Sequence, residues 1–571
     1  MVTIYMQGQD KTKQITDWRI KYDDPKKTLK LIVKFPSGKC FCSPMSECTV
    51  KPRKDYTGKL LLCEKNHCSE IERATEYGNK FIVVKYPRSE KLYVMKSADV
   101  YVTSKSNWRN EDLFKYFTKI AAERSTNAED STKKAIADNI QRQLKKITSF
   151  EGNALYAYCH KKNEKRESDD QLIFPFGINE NQLKAVTNAF SSQISVIEGP
   201  PGTGKTQTIL NIVANILLKN QKVAIVSNNN PAVSNVYEKL EKEKLGYLVA
   251  ELGSIKNRNE FFASIKDIPP ASNHAAIEMD SIQNTFGKLK DYLHAKNKLA
   301  QLTAEIKEFE IEKGYLEDWH SEHPTIQLID VKKYKLSPKK ITDLMAYIRH
   351  LTDKHISLTE RFRLILSFRI FRTAFLNNYA ERLNFVYTLQ FSYYTKQIEN
   401  RQKKIQQLEK TLKDINFNDT LDTLKKDSML FLKQHLAKSI KDTKKPFKLG
   451  DYRCKGNFKQ FIDRFPVIGS STHSIINSLA DGYILDYLII DEASQQDIVP
   501  GILSLGCTKN IIIVGDRKQL PHIPDKSTLK CPSEYYDCSK YSLLDSITRV
   551  YENRIPVTLL KSSGNKSSEK S

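Results

Sequence analysis

Residues Gly199-Pro200-Pro201-Gly202-Thr203-Gly204-Lys205-Thr206 fit the pattern G-x-x-x-x-G-K-[ST] in full. A short apolar run, 194–198, precedes them, and a helical run, 208–218, follows. The next apolar strand is 223–227. Strand, loop, helix and strand in that order make a βαβ unit, which commits the chain to a parallel sheet with crossover helices. The glycines let backbone N–H groups turn inward around phosphate oxygens. Lys205 reaches β- and γ-phosphates, the Thr206 hydroxyl ligates Mg²⁺, and the helix start adds its positive end. The candidate nucleotide-binding residues are therefore Gly199, Pro200, Gly202, Thr203, Gly204, Lys205, Thr206 and Gln207.

Two later apolar runs, 487–491 and 510–515, read as buried strands of the same sheet, each ending in polar residues where a ligand sits. The first ends in Asp491-Glu492-Ala493-Ser494. An acid at a strand end holds the Mg²⁺ water shell, which assigns Asp491 to the metal. Glu492 beside it is placed to polarise an attacking water. An Asp-Glu pair alone is usually a solvated surface pair; after a buried strand, in a chain with a phosphate loop, it carries chemistry. The second run leads into Gly515-Asp516-Arg517-Lys518-Gln519-Leu520-Pro521.

The phosphate loop, Asp-Glu-Ala-Ser and Gly-Asp-x-x-Gln-Leu-Pro, in this order, resemble superfamily 1 helicases of the UPF1-like (DNA2/NAM7-like) group. Ile178-Asn179-Glu180-Asn181-Gln182 resembles that family's adenine-reading Q motif, with Gln182 as the reader. The segment 226–233 resembles its motif Ia, and 467–472 resembles the strand-end segment before the acidic motif. The resemblance implies ATP and Mg²⁺ as cofactors and single-stranded DNA or RNA as partner. It implies nucleic-acid contacts at Ser227, Asn228, Asn235, Ser471 and Thr472, and a γ-phosphate sensor at Gln519. With Lys205 and Glu492, Gln519 completes the expected catalytic set. Taken alone, Gln182, Ser227, Asn228 and Asn235 are ordinary surface, loop and capping residues.

The expected fold class is α/β: a RecA-like P-loop NTPase domain interrupted by a helical coiled-coil insertion and preceded by a small β-rich domain. The expected segments are a β-rich module (1–108), a helical linker (109–171), the first part of the RecA-like domain (172–270), a coiled-coil stalk (271–450), the second part (451–560) and a disordered Ser/Lys tail (561–571). The stalk rests on heptad steps through Phe391, Tyr394, Ile398, Ile405, Leu408, Leu412 and Ile415, and through Leu299, Leu302, Ile306 and Phe309. Between these arms lie Arg361, Arg363, Arg369 and Arg372 among Phe362, Leu364, Ile365, Leu366, Phe368, Ile370 and Phe371. They read as a packed helix with arginines on its wet side, against a basic contact for nucleic acid or membrane at the stalk tip. Cys40, Cys42, Cys48, Cys63 and Cys68 crowd the N-terminal module. Without a CxxC pair, they read as packed cysteines rather than zinc ligands.

A formal net charge of +24 points to polyanions, although an AT-biased coding sequence would also enrich lysine. No apolar run approaches the ~20 residues of a membrane helix, and the first residues lack a signal-peptide layout, so the expected location is cytoplasmic, without a membrane partner. The family's motor needs a second RecA-like domain whose arginines reach the transition state. About 50 residues follow Gln519, against the well over 100 that such a domain needs. The expectation is the ATP-binding half of a helicase, translocating only if another chain supplies the second half. The alternative is a non-motor, ATP-responsive nucleic-acid-binding or coiled-coil interaction protein. An SMC/Rad50-like ATPase fits less well, because no L-S-G-G-type signature precedes the acidic motif.

Overall fold

The computed structural model describes residues 2–167, 171–228, 230–270, 275–323, 328–351, 356–442, 446–519, 522–524 and 527–561. The expected Ser/Lys tail from 562 onward, with Leu520 and Pro521, lies outside the described residues. None of the described helices is long and apolar enough to cross a membrane. The chain divides into two compact units, one formed by 1–279 with 425–571 and the other by 280–424.

The first unit is organised by seven parallel strands: β1 (Ile194–Glu198), β2 (Val223–Val226), β3 (Val249–Glu251), β4 (Val467–Ser470), β5 (Leu485–Ile490), β6 (Thr508–Gly515) and β7 (Val557–Leu559). Their order across the sheet is β3-β4-β2-β5-β6-β1-β7. Every pairing is parallel. β1, β2, β4 and β5 are buried at every position, as expected for strands covered on both faces. The register places Val226 opposite both Ser470 and Ile490, and Glu198 opposite both Gly515 and Leu559. The turns that follow β1, β2, β4, β5 and β6 therefore leave one edge of the sheet together.

The helical stretch after the N-terminal module packs directly on this sheet. Trp108, Phe117, Ile120 and Leu144 share one core with Val226, Leu488, Ile490, Ile511 and Ile513. The N-terminal strands form four small antiparallel sheets. Cys63 and Cys68 stand directly opposite across one hairpin and are joined as a disulfide. The expectation of packed cysteines says nothing of this bond, because only the pairing register brings the two face to face. Cys40 and Cys42 are exposed. The same hairpin meets the parallel-sheet domain, where Cys68 N–H donates to the Gly482 carbonyl (3.0 Å) and Ile484 N–H to the Asn66 carbonyl (2.7 Å).

In the second unit two long helices, Met279–Glu322 and Tyr379–Asp414, run antiparallel. Glu305 meets Arg401 (2.6 Å), Lys313 lies over Phe391, and Leu316 accepts from the Tyr387 hydroxyl (2.8 Å). Leu302 and Ile306 are buried. In the arginine-rich segment Leu364, Phe368 and Ile370 join a local core, whereas Phe362, Leu366 and Phe371 are exposed beside Arg363, Arg369 and Arg372. The run is thus only half packed: Phe362 and Leu366 lie on the side of the helix Leu358–Phe368 turned away from Leu364 and Phe368.

In the helix after the phosphate loop, α1 (Lys205–Leu218), the run from Ile209 onward is apolar except for Asn211 and Asn215, which continue a stripe begun at Gln207. Asn215 accepts from Ile173 N–H (2.9 Å) and donates to the Ile173 carbonyl (2.7 Å). Asn211 accepts from Phe176 N–H (3.1 Å) and donates to the Gly177 carbonyl (2.7 Å). Both asparagines are wholly buried. They supply ladder-like partners to an irregular segment that would otherwise bury unpaired backbone. Asn215→Ala should therefore cost about 1–3 kcal/mol by orphaning both Ile173 groups. A lowered thermal unfolding midpoint is the expected readout, and an unchanged midpoint would contradict this role.

Candidate nucleotide site

The phosphate loop is built by backbone strain only glycine carries cheaply. Gly202 and Gly204 have φ +81° and +85°, in the left-handed region that penalises a Cβ. Gly204 is also the N-cap of α1, and a Cβ there would run into the Gln182 amide. Thr203 closes the loop by donating its hydroxyl to the Pro200 carbonyl (2.8 Å). Gly199 N–H donates to the Gly515 carbonyl (3.1 Å), which ties the phosphate loop to the turn after β6.

Lys205 and Glu492 face each other at this edge, with Nζ 3.8 Å from Oε1. Both are mostly buried, and neither Lys205 Nζ nor Glu492 Oε2 has a hydrogen-bond partner among the described residues. Buried charged groups without partners are costly, and they mark where a charged ligand completes the pairing. Glu492 itself is left-handed, with φ +55°, so the chain turns sharply as it leaves β5. Asp491 is buried beside it, and its carboxyl is pushed up to about 6, first by burial and then by the Glu492 charge. Thr206 is half-buried on the first turn of α1. A phosphate-bound Mg²⁺ asks for only one or two protein oxygens. The Thr206 hydroxyl and Asp491 carboxylate, with Lys205 Nζ unpartnered nearby, fit that demand.

The remaining candidates fall into two groups. Gln182 is buried and heavily engaged. It forms a capping box with Asn179 at the start of the helix Glu180–Ser191. Its amide nitrogen also donates to the Gln207 side chain (3.1 Å) and the Gly204 carbonyl (3.4 Å). Gln207 in turn donates to the Phe176 carbonyl. Both glutamines thus brace the phosphate loop. Gln519 is half-buried in the turn after β6, where its N–H donates to the Asp516 carbonyl (3.2 Å). Arg517 in that turn makes a two-pronged pair with Glu198, at 2.8 and 2.7 Å.

Past β2 and β4, Asn228 and Thr472 meet: the Thr472 hydroxyl lies 2.6 Å from Asn228 Oδ1 and 2.8 Å from Gln496 Oε1. Thr472 is wholly buried and Ser227 nearly so, whereas Ser471 is half-buried and Asn235 exposed. Asn229 lies outside the described residues, as do the side chains of 230–233. The Asn228–Thr472–Gln496 chain joins the candidate strand-contacting turns to the segment that follows Asp491 and Glu492.

Sequence reading missed Asp497 and its partners. Asp497 Oδ2 lies 2.7 Å from Arg124 Nη2 and 3.2 Å from His522 Nε2. Burial alone would raise its pKa, but the His522 hydrogen bond and the Arg124 charge outweigh it and hold the carboxyl down to about 2. A helix before the parallel-sheet domain is thereby locked to the turns after β5 and β6. An acid with a depressed folded pKa adds stability above its unfolded value of 3.8, lost as pH falls through about 2. Arg124→Met leaves the buried carboxylate with His522 and the Val499 N–H but without its permanent cation, and should cost up to about 3–5 kcal/mol near neutrality. The gap in unfolding midpoint between parent and variant should narrow as pH drops below about 4. A gap independent of pH would contradict the ion-pair account.

A family model described as an AAA domain (AAA_11) matches residues 177–523, more than half of the chain. The DNA polymerase alpha-associated DNA helicase A of Schizosaccharomyces pombe is 30% identical over 120 residues, covering 19% of this chain and 18% of the relative. The DNA-binding protein SMUBP-2 of Rattus norvegicus is 30% identical over 148 residues, covering 23% and 14%. The ATP-dependent helicase NAM7 of Saccharomyces cerevisiae is 29% identical over 128 residues, covering 22% and 12%. The chain thus spans less than a fifth of the length of each of these relatives. Taken together, the edge geometry and these likenesses mean that the chain belongs to the AAA-domain (AAA_11) family and carries a P-loop ATPase domain of the UPF1-like superfamily 1 helicase type.

Proposed function

We propose that this chain is the ATP-binding and ATP-hydrolysing half of a UPF1-like helicase acting on single-stranded DNA or RNA. The observation that carries the reading is the long, mostly buried ion pair of Lys205 Nζ and Glu492 Oε1, 3.8 Å apart, in which neither Lys205 Nζ nor Glu492 Oε2 has a hydrogen-bond partner among the described residues. In this reading Lys205 holds the β- and γ-phosphates, and Thr206 and Asp491 hold Mg²⁺. The metal, when bound, neutralises charge on the phosphate oxygens. Glu492 orients the attacking water and takes its proton. Gln519 reads the γ-phosphate, and Gln182 stands on the adenine side. Asn228 and Thr472, with Ser227, Ser471 and Asn235, form the strand-facing turns.

The segment boundaries 1–108, 109–171, 172–270, 271–450 and 451–560 belong to the same proposal, with 271–450 as a coiled-coil stalk. So does a second RecA-like domain, from this or another chain, that closes over the nucleotide.

The test is ATP binding and turnover by the purified chain, with and without single-stranded DNA or RNA. Lys205→Ala should weaken Mg–ATP binding. Glu492→Gln should keep binding and lower turnover by about 10²–10⁴, the range of a lost general base. Strand separation should be absent until a second RecA-like domain is supplied. Unwinding by this chain alone would overturn the half-motor assignment. Undiminished binding in Lys205→Ala would overturn the site. Nucleotide-dependent strand binding without turnover would instead favour a non-motor, ATP-responsive binding protein.

A further inference from the structure

Where the N-terminal strands meet the first linker helix, Asp112–Thr126, a cavity of about 520 Å³ carries five cations on its wall: Lys59, Lys105, Arg109, Lys115 and Lys119. No carboxylate lines it. Two acids lie outside the lining: Glu70 pairs with Lys105, and Asp112 stands 4.0 Å from Lys115. Arg109 is fixed at the bottom of the wall. Its terminal nitrogens donate to the carbonyls of Leu144, Lys145 and Ile147, closing the end of the helix Ser131–Lys146. Its Nε is buried without a partner among the described residues.

Lys105 and Lys115 already face Glu70 and Asp112, but the five cations outnumber the two acids, and that excess of like charge around one hollow costs free energy unless an anion shares the space. The lining also offers the hydroxyl of the buried Ser149, which can donate to an oxyanion, whereas the Thr118 hydroxyl is spent on the Phe114 carbonyl (3.0 Å). A volume of this size suits a small molecule, against the ~300–1,000 Å³ of ordinary ligand pockets. The cavity shares no lining residue with the phosphate loop.

We propose that this cavity is a second oxyanion site, distinct from the phosphate loop, which takes a small, multiply charged phosphate ester. A free nucleotide and the 5′-phosphate of a nucleic-acid strand both carry that chemistry. Lys59 reaches the site from the strand side and Lys115 and Lys119 from the helix side, so charge on either element governs affinity.

The test uses the full chain carrying Lys205→Ala, which disables the phosphate loop, titrated calorimetrically with inorganic pyrophosphate at low salt. Saturable binding is expected. Adding Lys115→Glu with Lys119→Glu should weaken it at least ~tenfold, and Lys59→Glu alone should weaken it as well. All three side chains are exposed, and circular dichroism verifies that each variant folds. Displacement by ADP would identify a free nucleotide as the source. Displacement by a 5′-phosphorylated oligonucleotide, but not by its dephosphorylated twin, would identify a strand end. Absence of pyrophosphate binding in the Lys205→Ala chain, or binding indifferent to both sets of charge reversals, would overturn the proposal. Neither result depends on whether the P-loop hydrolyses ATP.

Discussion

β2 contributes only four residues, yet both of its edges are taken: β4 pairs with one and β5 with the other. Those partners lie more than 200 residues further along the chain. Their parallel register brings Ser470 and Ile490 level with Val226. A shift of one residue would turn every side chain to the opposite face of the sheet. It would also carry Asp491 and Glu492 away from Lys205, ending the 3.8 Å approach on which the nucleotide site rests. Complete burial of β2, β4 and β5 sets that register, because any slip would pull apolar side chains out of both faces.

Two aspartates six residues apart show how neighbours decide the fate of buried charge. Asp491 and Asp497 are both buried. Burial and then the Glu492 charge push Asp491 up to about 6, which the Glu492 N–H hydrogen bond and Lys205 only partly offset. Between Arg124 and His522, Asp497 is held down to about 2. Desolvation acts in the same direction on each, so the sign comes from the partners. Asp497 is satisfied within the protein and holds loops in place. Asp491 accepts from the Glu492 N–H (2.9 Å) but makes no ion pair among the described residues, the expected condition of a carboxylate whose charge a ligand completes.

The phosphate loop, the strand before it and the acidic strand end were legible because each is local: contiguous apolar runs ending in polar residues at fixed spacing. The heptad steps are local in the same way: Leu302 and Ile306 are buried, whereas Phe391, Tyr394, Ile398, Ile405, Leu408, Leu412 and Ile415 are half-buried. What escaped notice depends on distant partners. The amide stripe at Gln207, Asn211 and Asn215 repeats every four residues inside a mostly apolar helix, a signal visible in sequence. Its purpose needs Ile173 and Phe176, more than 30 residues earlier. Gln182 lies three residues after Asn179, a capping-box spacing, but its grip on Gly204 and Gln207 is tertiary. The contact of Cys63 with Cys68 needs the hairpin register. Arg124 and Asp497 are separated by most of the chain, and no periodicity links them.

The segment between β3 and β4 also explains how so short a strand as β2 tolerates so long an interruption. Loop-closure entropy grows only logarithmically with length, so the penalty depends on whether the ends are held close rather than on residue count. At the base, one side chain does this: Gln434 accepts from Ile277 N–H (3.2 Å) and donates to the Ala275 carbonyl (2.8 Å). Within the second unit, the Tyr292 and Phe417 rings lie 4.8 Å apart, bringing its outgoing and returning helices together. Further along, the Glu305–Arg401 pair and the Tyr387–Leu316 hydrogen bond continue the pairing. With the two ends of the interruption held together in this way inside the first unit, the register of β2 with β4 and β5 follows from burial within the sheet.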